Sequence, residues 1–179
     1  MDGLPDHDLM ARAAKGDERA FRTLAERHAA AAFRLARRIL GNEAAAEDVV
    51  QDALLRVWIN APRWRPEAAF RTWLYRIVVN LCLNARRRVP DLPLEAAEDV
   101  ADPGSAADEQ LRLRERDHYL AAAIDALPPR QRAAVVLTYQ EGLSNADVAE
   151  VLDTSVSSVE TLLVRARRTL RVAFESDQS

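Results

Sequence analysis

The chain has 179 residues, enough for one domain or two small ones, and its single cysteine, Cys82, excludes an internal disulfide. Ala, Leu, Arg and Glu dominate while glycine occurs only five times, a composition that favours helices. No apolar run approaches the roughly 18 residues that span a bilayer, and the first residues lack a signal-peptide pattern. We therefore expect a soluble cytoplasmic protein.

The formal net charge of −3 conceals a segregation of charge along the chain. Residues 60–88 carry seven arginines and one glutamate, whereas residues 89–109 carry seven acids and no base. The last predicted helix is again rich in arginine. Two basic modules joined by an acidic tether indicate two places at which the chain contacts DNA.

The N-terminal part is predicted to form four helices. Asp17 can cap a helix that runs to about Leu40 and ends at Gly41-Asn42. The next helix begins at Asn42 and carries an apolar stripe with helical spacing. Its opposite, polar face holds Asp48, Gln51, Asp52 and Arg56.

Two prolines between residues 60 and 66 break the third helix and keep Arg63, Trp64 and Arg65 together in a loop. Pro66 fits the first position of a fourth helix, which ends in three consecutive arginines at 86–88. Cys82 adjoins the apolar stripe of this helix and is predicted to be a small buried hydrophobe.

The segment from Arg63 to Arg88 mixes aromatic, arginine and amide side chains. Such mixtures suit melted DNA, in which unstacked bases lie against aromatic faces and guanidinium groups hold the backbone. We interpret Trp73 as a core residue because it falls on the apolar stripe. Asn80 and Asn84 are better candidates for base contacts, since they lie one turn apart and an amide within so apolar a helix needs a partner.

The helical pattern stops at Val89, and residues 89–109 are predicted to form an extended acidic linker. The linker separates a domain over residues 1–88 from a domain over residues 110–179. Helices are predicted in the second domain over 111–127, from Pro128-Pro129 to Gly142, after Ser144 and after Ser155. The fold class is therefore all-α, with two small helical domains.

The last two helices have the pattern of a helix-turn-helix unit, with Val156 and Val159 facing inward. Asp153 occupies a turn position that favours positive φ, which aspartate tolerates better than most residues. The second helix of such a unit enters the major groove. A structural hairpin with a solvated arginine face is the alternative interpretation. The exposed positions suited to bases or phosphates are Ser157, Ser158, Glu160, Thr161, Arg165 and Arg168.

Three segments, in this order, resemble parts of the sigma factors of bacterial RNA polymerase, specifically the short extracytoplasmic-function (ECF) type. AEDVVQDALLRVW (46–58) resembles the helix that docks on the polymerase clamp. FRTWLYRIVVN (70–80) resembles the helix that melts the promoter and reads the −10 element. Residues 127–171 resemble the domain that reads the −35 element.

The resemblance implies roles for individual residues. Asp48, Gln51 and Asp52 would face the polymerase clamp. The acidic linker would pass through the polymerase channels, although a plain flexible linker is an alternative. The implied partners are core RNA polymerase, promoter DNA and an anti-sigma factor. The residues that the resemblance implies for −10 DNA are Arg63, Trp64 and Asn80 at flipped bases and Arg76, Arg86 and Arg87 at phosphates. Asn84 stays a candidate base contact because of its position on the helix alone.

A promoter-specificity subunit is the leading hypothesis for function. One alternative is an autonomous helix-turn-helix regulator, and another is an adaptor that mimics a sigma factor and sequesters an anti-sigma factor. An enzyme is least favoured, because His7, His28 and His118 are far apart in sequence and no phosphate-cradling glycine loop is present. We expect neither a metal nor a cofactor.

Overall fold

A computed structural model of the chain describes residues 3–65, 69–88 and 119–177. Within these ranges all regular elements are helical, as the sequence predicts. The predicted linker, the predicted helix start at Pro66 and the first part of the helix predicted over 111–127 lie outside the described residues. None of the helices in these ranges has both the length and the apolarity to cross a membrane.

The N-terminal bundle consists of α1–α4, with a short 3-10 turn before the last helix. Asp17 caps α2 by accepting hydrogen bonds from the N–H groups of Arg19 and Ala20, both at 3.1 Å. Gly41 ends α2 with a φ of 71°, a conformation that glycine adopts readily. The elements are α1 (Asp6–Ala13), α2 (Glu18–Leu40), α3 (Glu43–Asn60), the 3-10 turn (Ala61–Arg63) and α4 (Phe70–Arg88).

The apolar stripes predicted for α3 and α4 form the core of this bundle. Val50 and Val57 of α3 are buried, as are Leu74 and Val78 of α4. The remaining stripe residues are buried or packed against the core at its edge. The spacing of apolar residues therefore predicted the packing faces of both helices correctly.

Cys82 is fully buried, and its burial raises the pKa of the thiol to about 12. Because the thiolate is the reactive form, we expect alkylation at pH 8 to be at least about a hundredfold slower in the native chain than in the unfolded chain. Mass spectrometry after timed exposure to iodoacetamide, with and without denaturant, measures both rates. Equal rates would contradict the burial of this side chain.

The C-terminal bundle consists of α5–α8. Val136–Gln140 continues α6 as a π-type turn, in which the N–H of Glu141 donates to the carbonyl of Val136 at 3.0 Å. Single π turns inside helices often mark functional positions, because they displace the side chains that follow. The helices are α5 (119–125), α6 (Pro129–Val135), α7 (Asn145–Val151) and α8 (Val156–Asp177).

Helices α7 and α8 form the predicted helix-turn-helix unit. Ser144 caps α7 by accepting from the N–H of Asp147 at 3.2 Å, and Asp153 in the turn has a φ of 50°. Val159 is fully buried, as predicted. The prediction that Val156 faces inward is wrong: its side chain is 42% exposed, because the first turn of α8 projects beyond the core.

The two bundles pack directly against each other. Helix α4 contacts α6 and α7, and α2 contacts α6. Arg132 of α6 is fully buried at this junction and donates to the carbonyl of Ile39 at 3.1 Å. The junction positions α7 beside the residues that were predicted to bind DNA.

Candidate nucleic-acid interface

A cavity of about 540 Å³ lies where the loop after α3 meets α4. Four arginines contribute to its lining, namely Arg56 from α3, Arg63 and Arg65 from the loop, and Arg76 from α4. We call this the arginine cavity. Guanidinium groups are planar multiple donors that stay charged, so the cavity is suited to phosphate groups and to the polar edges of bases.

Aromatic and amide groups complete the arginine cavity. Trp64 and Trp73 are half-buried and contribute to the lining, and Asn80 is exposed on α4 at the same place. The ring of Trp73 packs against Phe70 with centroids 6.1 Å apart, so one part of it belongs to the core and another faces the cavity. Aromatic faces beside guanidinium groups form a surface on which unstacked bases are held.

The structure brings together some of the residues predicted for −10 DNA and separates others. Arg63, Trp64, Arg76 and Asn80 all line the arginine cavity. Asn84 and Arg87 are exposed but are not part of that lining.

The prediction that Asn80 and Asn84 lie in apolar surroundings is wrong. Asn80 and Asn84 are exposed, so neither is an amide in apolar surroundings that lacks a partner. Both amides can reach DNA because they lie on the solvent side of α4. Arg86 already donates to the carbonyl of Leu40 at 3.3 Å, which satisfies an acceptor at the end of α2.

Six residues of the arginine cavity were not predicted to contact −10 DNA, namely Arg56, Asn60, Arg65, Trp73, Ile77 and Glu150. The sequence predicts only that Arg56 lies on the polar face of α3, that Arg65 lies in the loop and that Trp73 belongs to the core. The spacing of Asp52 and Arg56 does signal a contact, since these residues form a bidentate ion pair at 3.0 and 3.1 Å. No local signal points to Glu150, which comes from the other bundle.

The polar face of α3 continues into an exposed apolar stripe. Asp48 and Gln51 are exposed and Asp52 is half-buried. Leu55 and Ile59 follow on the same side, 56% and 64% exposed. We call these five residues the docking face. Acidic groups next to exposed large aliphatic groups are typical of a surface that binds another protein.

The residues predicted for −35 DNA are all exposed on α8. The hydroxyl of Ser155 accepts from the N–H of Ser158 at 3.2 Å and thereby caps the helix. Thr161 donates its hydroxyl to the carbonyl of Ser157 at 2.9 Å. The N-terminal half of α8 therefore presents short hydroxyl side chains and then Arg165, an arrangement that fits the width of a major groove.

Comparison with known proteins gives matches over both bundles. Residues 24–89 match the family model of Sigma-70 region 2, and residues 117–170 match that of Sigma-70, region 4. The chain is 37% identical over 168 residues to the ECF RNA polymerase sigma factor SigM of Mycobacterium tuberculosis, covering 92% of this chain and 82% of SigM. It is 34% identical over 182 residues to the RNA polymerase sigma factor CnrH of Cupriavidus metallidurans, covering 96% of this chain and 95% of CnrH.

The solved structure of CnrH in complex with the cytosolic domain of CnrY is also similar. It has a TM-score of 0.70 and 31% identity, covering 96% of this chain and 98% of that chain. The matches confirm the resemblance drawn from the three sequence segments. The chain belongs to the family of ECF RNA polymerase sigma factors.

Proposed function

We propose that this ECF sigma factor divides promoter recognition among three surfaces. As a sigma factor the protein directs RNA polymerase to promoters. In our proposal residues 1–88 bind core polymerase and −10 DNA, and residues 110–179 bind −35 DNA. The acidic residues 89–109 connect the two and occupy a nucleic-acid path in the polymerase until RNA displaces them.

The docking face of α3 binds core polymerase in this proposal. Asp48 and Asp52 would pair with cationic groups on the polymerase, and Gln51 would supply hydrogen bonds. Leu55 and Ile59 would supply apolar contact area next to these polar groups. The exposure of two large aliphatic side chains supports this role, because an uncovered apolar stripe is costly in water and is covered by a partner in a complex.

The arginine cavity is the single observation that carries the −10 assignment. It combines cationic groups for a backbone, indole rings for stacking and the Asn80 amide for a base edge. Melted bases need all three kinds of contact, whereas duplex DNA hides the base faces. We therefore propose that this cavity captures unstacked −10 bases. Their capture would stabilise the melted state and so assist promoter melting. Asn84 and Arg87 are retained as contacts to flanking DNA.

The partners and cellular location follow from the same role. We propose core RNA polymerase and promoter DNA as partners, together with an anti-sigma factor that controls access to both. CnrH, which is similar over nearly the whole chain, has been solved with the cytosolic domain of CnrY.

The described residues contain no group of three or more His, Cys, Asp or Glu side chains that could hold a metal ion. We propose a cytoplasmic protein without catalytic activity of its own.

Arg165→Ala tests the −35 assignment. Loss of one groove contact costs about 1–3 kcal/mol, so we expect promoter affinity of the holoenzyme to fall about 5- to 100-fold. The slope of log affinity against log salt should also become shallower by about one if the contact is to a phosphate. Fluorescence anisotropy with labelled promoter duplex at several salt concentrations measures both quantities.

Arg167→Ala is the matched control for charge. Arg167 lies on another side of α8, where it donates to the hydroxyl of Tyr139 at 3.0 Å and stacks over that ring. We expect the control to bind promoter DNA nearly as well as the unchanged chain. Unchanged affinity in Arg165→Ala, or equal losses in both variants, would argue against insertion of α8 into the groove.

A further inference from the structure

A large apolar side chain is exposed in the middle of the side of α8 that was predicted to bind DNA. We call this side the DNA face; its residues are Ser157, Ser158, Glu160, Thr161, Arg165 and Arg168. Val164 is 61% exposed, whereas the preceding Leu163 is buried. Residues three and four positions apart share one side of a helix, so Glu160 and Thr161 lie one turn before Val164 and Arg168 lies one turn after it. Val164 therefore belongs to the surface that is proposed to enter the major groove.

The packing of α8 against its own bundle uses the opposite side of the helix. Val159, Leu163 and Ala166 are buried there, and Leu162 and Leu170 pack at the edge of the core. Truncation of Val164 to alanine removes atoms that lie mainly in solvent, and alanine is the better helix former. The position is thus open to substitution without loss of the fold.

The hydroxyl groups at the start of α8 are already engaged within the helix. The hydroxyl oxygen of Ser155 lies 3.1 Å from that of Ser157 and 2.8 Å from that of Ser158. The hydroxyl of Thr161 donates to the carbonyl of Ser157 at 2.9 Å. A hydroxyl that must exchange one hydrogen bond for another gains little free energy from a base edge. Discrimination between bases must therefore come largely from other groups of the DNA face.

The chemistry of a valine side chain selects one base in the major groove. Thymine presents a 5-methyl group there, whereas the other base edges present mainly hydrogen-bond donors and acceptors. Valine has two methyl groups and neither donor nor acceptor, so a polar base edge covered by it would lose water without gaining a hydrogen bond. A thymine methyl group, in contrast, gains from leaving water against an apolar partner.

We infer that Val164 is a specificity-determining residue whose side chain contacts the 5-methyl group of a thymine in the −35 element. This inference rests on the proposed −35 role of α8. The methyl group of Thr161, one turn earlier, extends the same apolar contact. Arg165 and Arg168 on either side supply affinity through the DNA backbone or through guanine, and Val164 supplies the preference for thymine.

Replacement of thymine by deoxyuridine tests this contact, because it removes the methyl group and keeps every hydrogen-bonding group of the base. Labelled promoter duplexes carry deoxyuridine at each −35 thymine in turn, on either strand, and fluorescence anisotropy measures their affinity for holoenzyme. We expect one replacement to weaken binding of the unchanged chain about fourfold, the effect of burying one methyl group. Val164→Ala should bind the thymine duplex about fourfold more weakly and should no longer distinguish it from the deoxyuridine duplex.

The chain offers a matched control two turns further along the same helix. Val172 is also an exposed valine of α8, 56% exposed, but it lies beyond the N-terminal residues that lead a recognition helix into the groove. Val172→Ala should therefore keep the preference for thymine over deoxyuridine. Val164→Ala should also keep the slope of log affinity against log salt, because an apolar contact releases no counterions.

The outcomes separate failure of the thymine contact from failure of the proposed −35 role. Equal affinity of the unchanged chain for thymine and deoxyuridine duplexes at every position, or an undiminished preference in Val164→Ala, would overturn the contact. A −35 element composed only of G·C pairs would overturn it as well. If Arg165→Ala still weakens promoter binding in any of these cases, the −35 role of α8 stands. If neither Arg165→Ala nor any base replacement in the −35 element changes affinity, the contact and the −35 assignment both fail.

Discussion

Asp48→Arg/Asp52→Arg is expected to abolish assembly with core RNA polymerase while leaving the fold intact. Loss of one partner of an interfacial charge pair costs about 2–5 kcal/mol, and reversal adds repulsion. Two such losses correspond to a decrease in affinity of at least about a thousandfold. Biolayer interferometry with immobilised core enzyme measures the affinity, and circular dichroism during heating checks that the helices and the melting temperature are retained.

Two controls make this result interpretable. Glu18→Arg/Glu26→Arg imposes the same change of charge on exposed positions of α2, outside the docking face, and should assemble normally. Arg56→Ala breaks the same ion pair that Asp52→Arg breaks, but leaves both carboxylates of the docking face in place. A double variant that still assembles holoenzyme, or an Arg56→Ala variant that loses assembly equally, would contradict the assignment of the docking face.

Asn80→Ala is expected to impair open-complex formation more than initial promoter binding. An amide that contacts a base edge is worth about 1–3 kcal/mol, and the contact exists only when the base is unstacked. We therefore expect open-complex formation to fall about 5- to 100-fold, with little change in closed-complex affinity. Permanganate reactivity of unpaired thymines measures the first quantity and anisotropy with duplex promoter measures the second.

The chain provides a matched control one helical turn away. Asn84 is also an exposed asparagine on α4, but it does not belong to the lining of the arginine cavity. We expect Asn84→Ala to lower open-complex formation much less than Asn80→Ala does. Equal effects of the two substitutions, or an equal loss of closed and open complexes in Asn80→Ala, would count against base capture in the cavity.

Local features of the fold were predictable from sequence because neighbouring residues determine them. The Asp17 cap, the Gly41 helix end and the positive φ of Asp153 each depend on a few consecutive residues, and the structure confirms all three. The buried stripes of α3 and α4 follow from helical periodicity in the same way. The exposed positions on α8 were likewise predictable from that spacing.

Contacts between the two bundles were not predictable, because they join residues that are distant in sequence. Tyr75 and Glu141 are 66 positions apart, and Arg76 and Asp153 are 77 apart. No spacing rule connects such pairs. The residues next to each member in the sequence do not indicate a partner in the other bundle. The sequence analysis placed Asn80 in apolar surroundings, whereas the structure exposes it. The reason is related, because the packing of α4 against distant helices decides which of its sides faces solvent.

In vitro transcription with purified core polymerase and a genomic library tests the central claim most directly. The account predicts transcripts that start at a discrete set of sites only when this protein is added, and no protection of duplex DNA by the protein alone. Transcription that does not change on addition of the protein, together with a footprint of the isolated chain on duplex DNA, would contradict it and favour an autonomous regulator.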